Sequence, residues 1–255
     1  LAARLTDLPY KVETAEEIAA GVASLLTDPK VLHFQDQELM QTHAVWYLAE
    51  AAHPDGGAER ALFLVFRGTN SPTDAITDIL IRPDAADNGV ECHGGFLRTV
   101  REDKTLLNAL QQHAVGDRPL FVMGHSLGGA LSQTLVGAGL LPEGFKGKVT
   151  VVSLGGPVPF FGRVKPELLP EVAVNARVVS IVNSNDIVPR LLGSPLSFSR
   201  KLLEVFTASM APRKRQRNEA VLNTLEEYTG FPQEQLLFVY DGAIYRVPPF
   251  SRKHV

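Results

Sequence analysis

Apolar residues along this chain follow two patterns: the 3.6-residue spacing of a helix face, and short unbroken runs typical of buried strands. The helical pattern predicts a helix over residues 14–26, where Ile18, Val22, Leu25 and Leu26 share a face and Thr14 with Glu17 forms a capping-box pair. Asp28 and Pro29 close it. Residues 42–50 (THAVWYLAE) and 61–67 (ALFLVFR) predict a hairpin or two neighbouring strands, because the intervening HPDGGAE is rich in turn formers. A helix is expected over 95–114, with Phe96, Val100, Leu107, Leu110 and Ala114 as its stripe, and a buried strand over 118–123. Another helix starts at Leu127, while 148–154 and 177–182 are β-branched runs, and 235–247 predicts two short strands around Asp241 and Gly242. Strands alternating with helices imply parallel crossovers, hence an α/β fold with a mostly parallel sheet covered on both faces.

Composition narrows the function classes. The 255 residues, 45% hydrophobic and 21% charged, suffice for one core without disulfide or metal staples, and residues 1–255 are expected to form a single domain without internal repeats. A net charge of -3 recommends no nucleic-acid partner. The one cysteine, Cys92, excludes an internal disulfide and a thiol-rich zinc site, and points towards a reducing compartment. No run reaches the 18 apolar residues of a membrane span. No phosphate-binding Gly-rich loop follows a strand, so nucleotide binding is not expected; composition leaves His and carboxylate metal sites open, and the reading adopted is of a chain without cofactor or metal. The sequence opens at Leu1 rather than Met, from which an upstream segment is expected; no signal peptide is visible.

The chemistry concentrates at Gly124, His125, Ser126, Leu127 and Gly128, a Gly-x-Ser-x-Gly pattern between an apolar strand (PLFVM) and a small-residue helix start. A serine presented at a tight strand-to-helix turn sits on strained backbone, and side chains two positions either way would collide with the neighbouring strand and helix. Ser126 is therefore the candidate nucleophile, against the simpler reading of a capping serine in a Gly-rich turn. The Leu127 backbone N–H, just after it, is a candidate oxyanion donor.

GHSLGGAL, together with FRGTNSPTDAITD at 66–78, HGGF at 93–96 and SNDIVPRL at 184–191, resembles the class 3 lipases, the family of fungal triacylglycerol lipases and plant and algal acyl hydrolases. The four motifs stand in the family's order and cover roughly residues 40 to 192. The resemblance implies an α/β-hydrolase fold, a Ser, Asp, His triad and lipid or ester substrates. It places the second oxyanion donor at Thr69 and makes His93 structural rather than part of an HGG oxyanion loop; with the position just past the apolar run ending at Val182, it places the triad acid at Asp186, with Asp241 in a DG turn as the second candidate. Arg67 is expected to partner a carboxylate or loop carbonyls. Residues 71–82 resemble the lid, with Ala75, Ile76, Ile79 and Leu80 among the apolar residues that would cover the serine. A short surface helix packed on the sheet is the alternative.

In this fold the triad follows the chain order Ser, acid, His. Of seven histidines only His254 lies downstream of Ser126 and Asp186. Two readings stay open: His254 is the base, or the base lies beyond residue 255. A basic cluster at Arg213, Lys214, Arg215 and Arg217 after the apolar KLLEVFTASM suggests transient contact with a membrane or lipid-droplet surface, with a solvated helix start as the alternative. The function expected is serine-dependent hydrolysis of acylglycerol-type esters; the rivals are an inactive lipase-like scaffold and an acyltransferase using the same acyl-enzyme. Beside the disulfide-stapled secreted fungal lipases, the single cysteine favours the cytoplasm or a plastid.

Overall fold

The computed structural model describes residues 1–12, 14–35, 44–56, 59–68, 82–183, 186, 188–190, 228–240 and 243–247. The chain opens with a helix that no apolar stripe announced, α1 (Ala2–Lys11). Ten residues rarely hold a helix alone, so docking supplies its stability: Leu5 is fully buried and its carbonyl accepts the Tyr47 hydroxyl at 2.9 Å. Helix α2 (Ala15–Ala23) has the expected capping box, with Thr14 Oγ1 accepting from Glu17 N at 3.2 Å and Glu17 Oε2 from Thr14 N at 3.1 Å. It is shorter than 14–26: Ser24 caps it, and Leu25 and Leu26 pack from the following turn.

Strands β1 (Lys30–Gln35), β2 (Trp46–Ala52) and β3 (Arg60–Phe66) form an antiparallel meander, of which β1 was not anticipated. The short strands β4 (Pro83–Ala85) and β5 (Glu91–His93) lead into α3 (Gly94–Glu102) and α4 (Lys104–His113). The single helix expected over 95–114 is thus two. The break is Asp103, 1% exposed, whose Oδ1 caps α4 through Leu106 N at 2.9 Å while Oδ2 accepts Gln35 Nε2 at 3.1 Å and Trp46 Nε1 at 2.9 Å. Restarting the helix there shifts its phase, so Leu106, Ala109 and Leu110 face the core instead of Leu107.

The remaining elements are β6 (Leu120–His125), α5 (Leu127–Gly137), β7 (Val149–Leu154), β8 (Phe160–Phe161), β9 (Arg177–Asn183), β10 (Tyr228–Thr229) and the hairpin β11 (Gln235–Tyr240) and β12 (Ala243–Val247). The main sheet runs β1-β2-β3-β6-β7-β9-β11-β12, with β3, β6, β7, β9 and β11 parallel. A smaller sheet has the order β10-β8-β5-β4. Along β3, Leu62, Leu64 and Phe66 enter one core, shared with α3, α4 and α5, while Ala61, Phe63 and Val65 enter a second, under α1 and α2. That two-sided burial is why ALFLVF is apolar without alternation. The C-terminal ends of the parallel strands gather at one edge of the sheet, where open α/β sheets place their sites.

Candidate active site

Ser126 links β6 to α5 with φ 55° and ψ -126°, one of two described non-glycine residues at positive φ. Such backbone costs about 1–3 kcal/mol and persists only when the surroundings enforce it. Here they do. The Ser126 N–H donates to Leu154 O at 2.9 Å, and its carbonyl accepts from Gly129 N at 2.9 Å. A Cβ on Gly124 would stand 2.1 Å from the Gly128 carbonyl carbon, and one on Gly128 would stand 2.4 Å from Phe66 O. Both motif glycines are therefore demanded by backbone contacts that no rotamer change relieves. Ser126 is 9% exposed. Leu127 N–H begins α5, where the first-turn amides lack intrahelical acceptors and the positive end of the helix dipole lies.

Asp186 follows β9 by three residues, at the same edge of the sheet as Ser126. Its N–H donates to Asn183 O at 3.0 Å and its Oδ1 accepts from Val188 N at 3.0 Å, which fixes one carboxylate oxygen. The other oxygen lies over the end of β7. A Cβ on Gly155 would meet Oδ2 at 2.5 Å and His125 Nε2 at 3.9 Å, and Gly155 has φ 59°, so only glycine suits that position. Because β7 separates β6 from β9, the strands that lead to Ser126 and Asp186 are two spacings apart, about 10 Å.

Of the other residues singled out from sequence, His93 is fully buried, caps α3 through Phe96 N at 3.4 Å and stacks on Phe96, a structural position. Arg67 Nη1 donates to Pro9 O at 3.3 Å, a carbonyl in the last turn of α1 rather than the carboxylate or loop carbonyl expected. Thr69, the lid residues Ala75, Ile76, Ile79 and Leu80, the basic cluster at 213–217, Asp241 and His254 lie outside the described residues. One residue at the site had no sequence signal: Tyr10, whose hydroxyl accepts from Gly68 N at 2.8 Å and lies 3.1 Å from His125 Nδ1. It stands at the end of a helix that periodicity did not reveal.

The family model of class 3 lipases matches residues 63–195, just over half of the chain and the whole stretch from β3 through Ser126 to Asp186. The protein belongs to the class 3 lipase family. Solved lipase structures share its α/β-hydrolase fold. The M37 lipase superposes with a TM-score of 0.59 at 17% identity, over 94% of this chain and 84% of that one. The MDLA enzyme of Penicillium cyclopium gives 0.57 at 18%, over 96% and 81%. A triacylglycerol lipase of Penicillium expansum gives 0.55 at 15%, over 97% and 84%. A comparison with curated protein sequences returns no match. Membership of the class 3 lipases makes this chain a carboxylic-ester hydrolase of the lipase type, with lipid or ester substrates. Among the described residues no helix is long and apolar enough to cross a membrane.

Proposed function

We propose that this class 3 lipase cleaves acylglycerol-type esters through an acyl-enzyme on Ser126. The observation that carries the reading is the positive φ of Ser126 at a strand-to-helix turn packed on both sides by glycine. Ser126 Oγ attacks the ester carbonyl carbon while His254 takes its proton, and Asp186, through Oδ2, holds the imidazole in the productive tautomer. The carbonyl oxygen becomes an oxyanion facing the N–H groups of Leu127 and Thr69. Each such donor is worth about a hundredfold to a thousandfold in rate. As the tetrahedral adduct collapses, His254 returns the proton to the leaving alcohol; water then attacks the acyl-enzyme by the same route, releasing the fatty acid and restoring the serine.

Chain geometry supports His254 as the base. Strand β12 starts at the site edge and runs antiparallel to β11, away from it, to Val247. Its four steps cover about 14 Å, and β12 lies four strand spacings, about 19 Å, from β6, so the return path to Ser126 is about 24 Å. The seven residues from Val247 to His254 span about 24 Å when extended, so the tether closes the distance when nearly straight. Ala75, Ile76, Ile79 and Leu80 complete the reading as an apolar cover over the serine that opens on a lipid surface.

A fluorophosphonate probe is expected to label the wild type stoichiometrically and to leave Ser126→Ala unlabelled and inactive on p-nitrophenyl butyrate. A folded wild type that takes no label sinks the reading. His254→Ala is expected to keep the fold and lose at least about a thousandfold in rate.

A further inference from the structure

Tyr10 is remote in sequence from every motif of the family, yet its phenol oxygen touches both halves of the site. It accepts the Gly68 N–H at 2.8 Å and sits 3.1 Å from His125 Nδ1. A Cβ on Gly68 would meet Tyr10 Oη at 2.5 Å, His125 O at 2.5 Å and Ser126 Cβ at 3.0 Å, so the hydroxyl and the carbon bearing the nucleophile crowd around one backbone position. That position immediately precedes Thr69. A second tie joins the same segments, since Arg67 Nη1 donates to Pro9 O at 3.3 Å.

We propose that the Tyr10 hydroxyl is a positioning group that fixes the oxyanion segment at Gly68 against the nucleophile turn at His125 and Ser126, and that the rate of ester cleavage depends on it. The inference rests on the roles given above to Ser126 and Thr69. Its chemistry is constrained. Oη accepts from Gly68 and still has a proton to give and a lone pair to offer, so its contact with His125 Nδ1 forms with either imidazole tautomer, the hydroxyl donating to a bare Nδ1 or accepting from an Nδ1–H. Burial raises the Tyr10 pKa against the opposing Gly68 hydrogen bond and Arg67 charge, so the phenol keeps that proton in any ordinary assay. Gly68 N–H is already taken, so Gly68 is no donor to substrate. Tyr10 acts through the Gly68 backbone, which sets the direction of the next amide. An oxyanion donor must hold its place to a fraction of an ångström, and a displacement of about 1 Å costs about a hundredfold.

The test is Tyr10→Phe, which removes the hydroxyl and keeps the ring packed edge-on to His125 at a centroid distance of 5.7 Å. On p-nitrophenyl butyrate, kcat is expected to fall about ten- to a hundredfold with KM changed less than about threefold. Fluorophosphonate should still label Ser126 fully, only more slowly, and the Gly68 amide should exchange its hydrogen faster. Leu5→Ala controls for packing, because it loosens α1 without touching the hydroxyl. It should lower the thermal midpoint and leave kcat near wild type well below that midpoint. A Tyr10→Phe kcat within twofold of wild type overturns the inference, as does an equal loss of kcat in Leu5→Ala. If the wild type is labelled and only these results fail, the catalytic reading stands and the positioning role falls. If the wild type is not labelled, the reading of Ser126 falls first and this inference with it.

Discussion

The two faces of the main sheet solve different problems. On one, α3, α4 and α5 bury a large continuous core that runs from Trp46 through Phe96, Leu131 and Val151 to Phe160 and extends into the small sheet. On the other, among the described residues, α1 and α2 cover a thinner layer of Leu5, Ile18, Val22, Tyr47, Phe63 and Met123. The first face holds the serine's helix in place with backbone against backbone, at Gly124, Gly128 and Phe66. The second contributes the Tyr10 hydroxyl, delivered by α1, a helix docked through Leu5 and Pro9. Support for the turn at Ser126 and support for the segment at Gly68 are thus built on opposite sides of the same strands.

The largest expected break in this comparison is Gly124→Ala. Its Cβ would collide with the carbonyl carbon and oxygen of Gly128 at 2.1 and 2.2 Å, so the helix must move off the strand. Overpacking typically costs about 1–3 kcal/mol, and because both obstacles are backbone we expect the upper end or more by chemical denaturation, with activity abolished. A second test pairs two fully buried aliphatic residues, Leu131 on α5 and Ile18 on α2. Buried Leu or Ile to Ala costs about 2–5 kcal/mol, depending on how well the site collapses. The short α2 can settle into the gap more easily than α5, which is walled by sheet and helices, so Leu131→Ala should cost more than Ile18→Ala by about 1 kcal/mol. Equal losses in urea melts would show that the two layers are equally rigid. The smallest effect is Thr14→Ala, which removes the cap of α2 and should cost about 1 kcal/mol in thermal melts without changing kcat.

What could be read from the sequence follows the range of the physics involved. The strand-to-helix turn at Ser126 was legible because each cause is local: an apolar strand, two glycines, a small-residue helix. The two-sided burial of β3 was legible for the same reason, as an unbroken apolar run. Asp103 was not, since it occupies what looks like the polar side of one long helix, and only its partners Gln35 and Trp46, distant in the chain, reveal it as a buried break. The strands of the small sheet are two or three residues long, too short for any period to show. Tyr10 is the extreme case, because its importance lies entirely in what it touches. Asp186 was singled out by its place just past the β-branched run 177–182 together with its resemblance to a family motif, and the structure adds the detail that one of its oxygens is held by Val188 N.

The backbone of Ser126 also bears on how this protein could be engineered. Glycine alone occupies φ 55° and ψ -126° without strain, so a variant library ranked purely by heat resistance would reward Ser126→Gly. Every such winner would have discarded the hydroxyl proposed above as the nucleophile. Selection for robustness and selection for turnover therefore pull in opposite directions at this codon, and a thermostability campaign on this scaffold needs an activity counter-screen, or position 126 held fixed from the start.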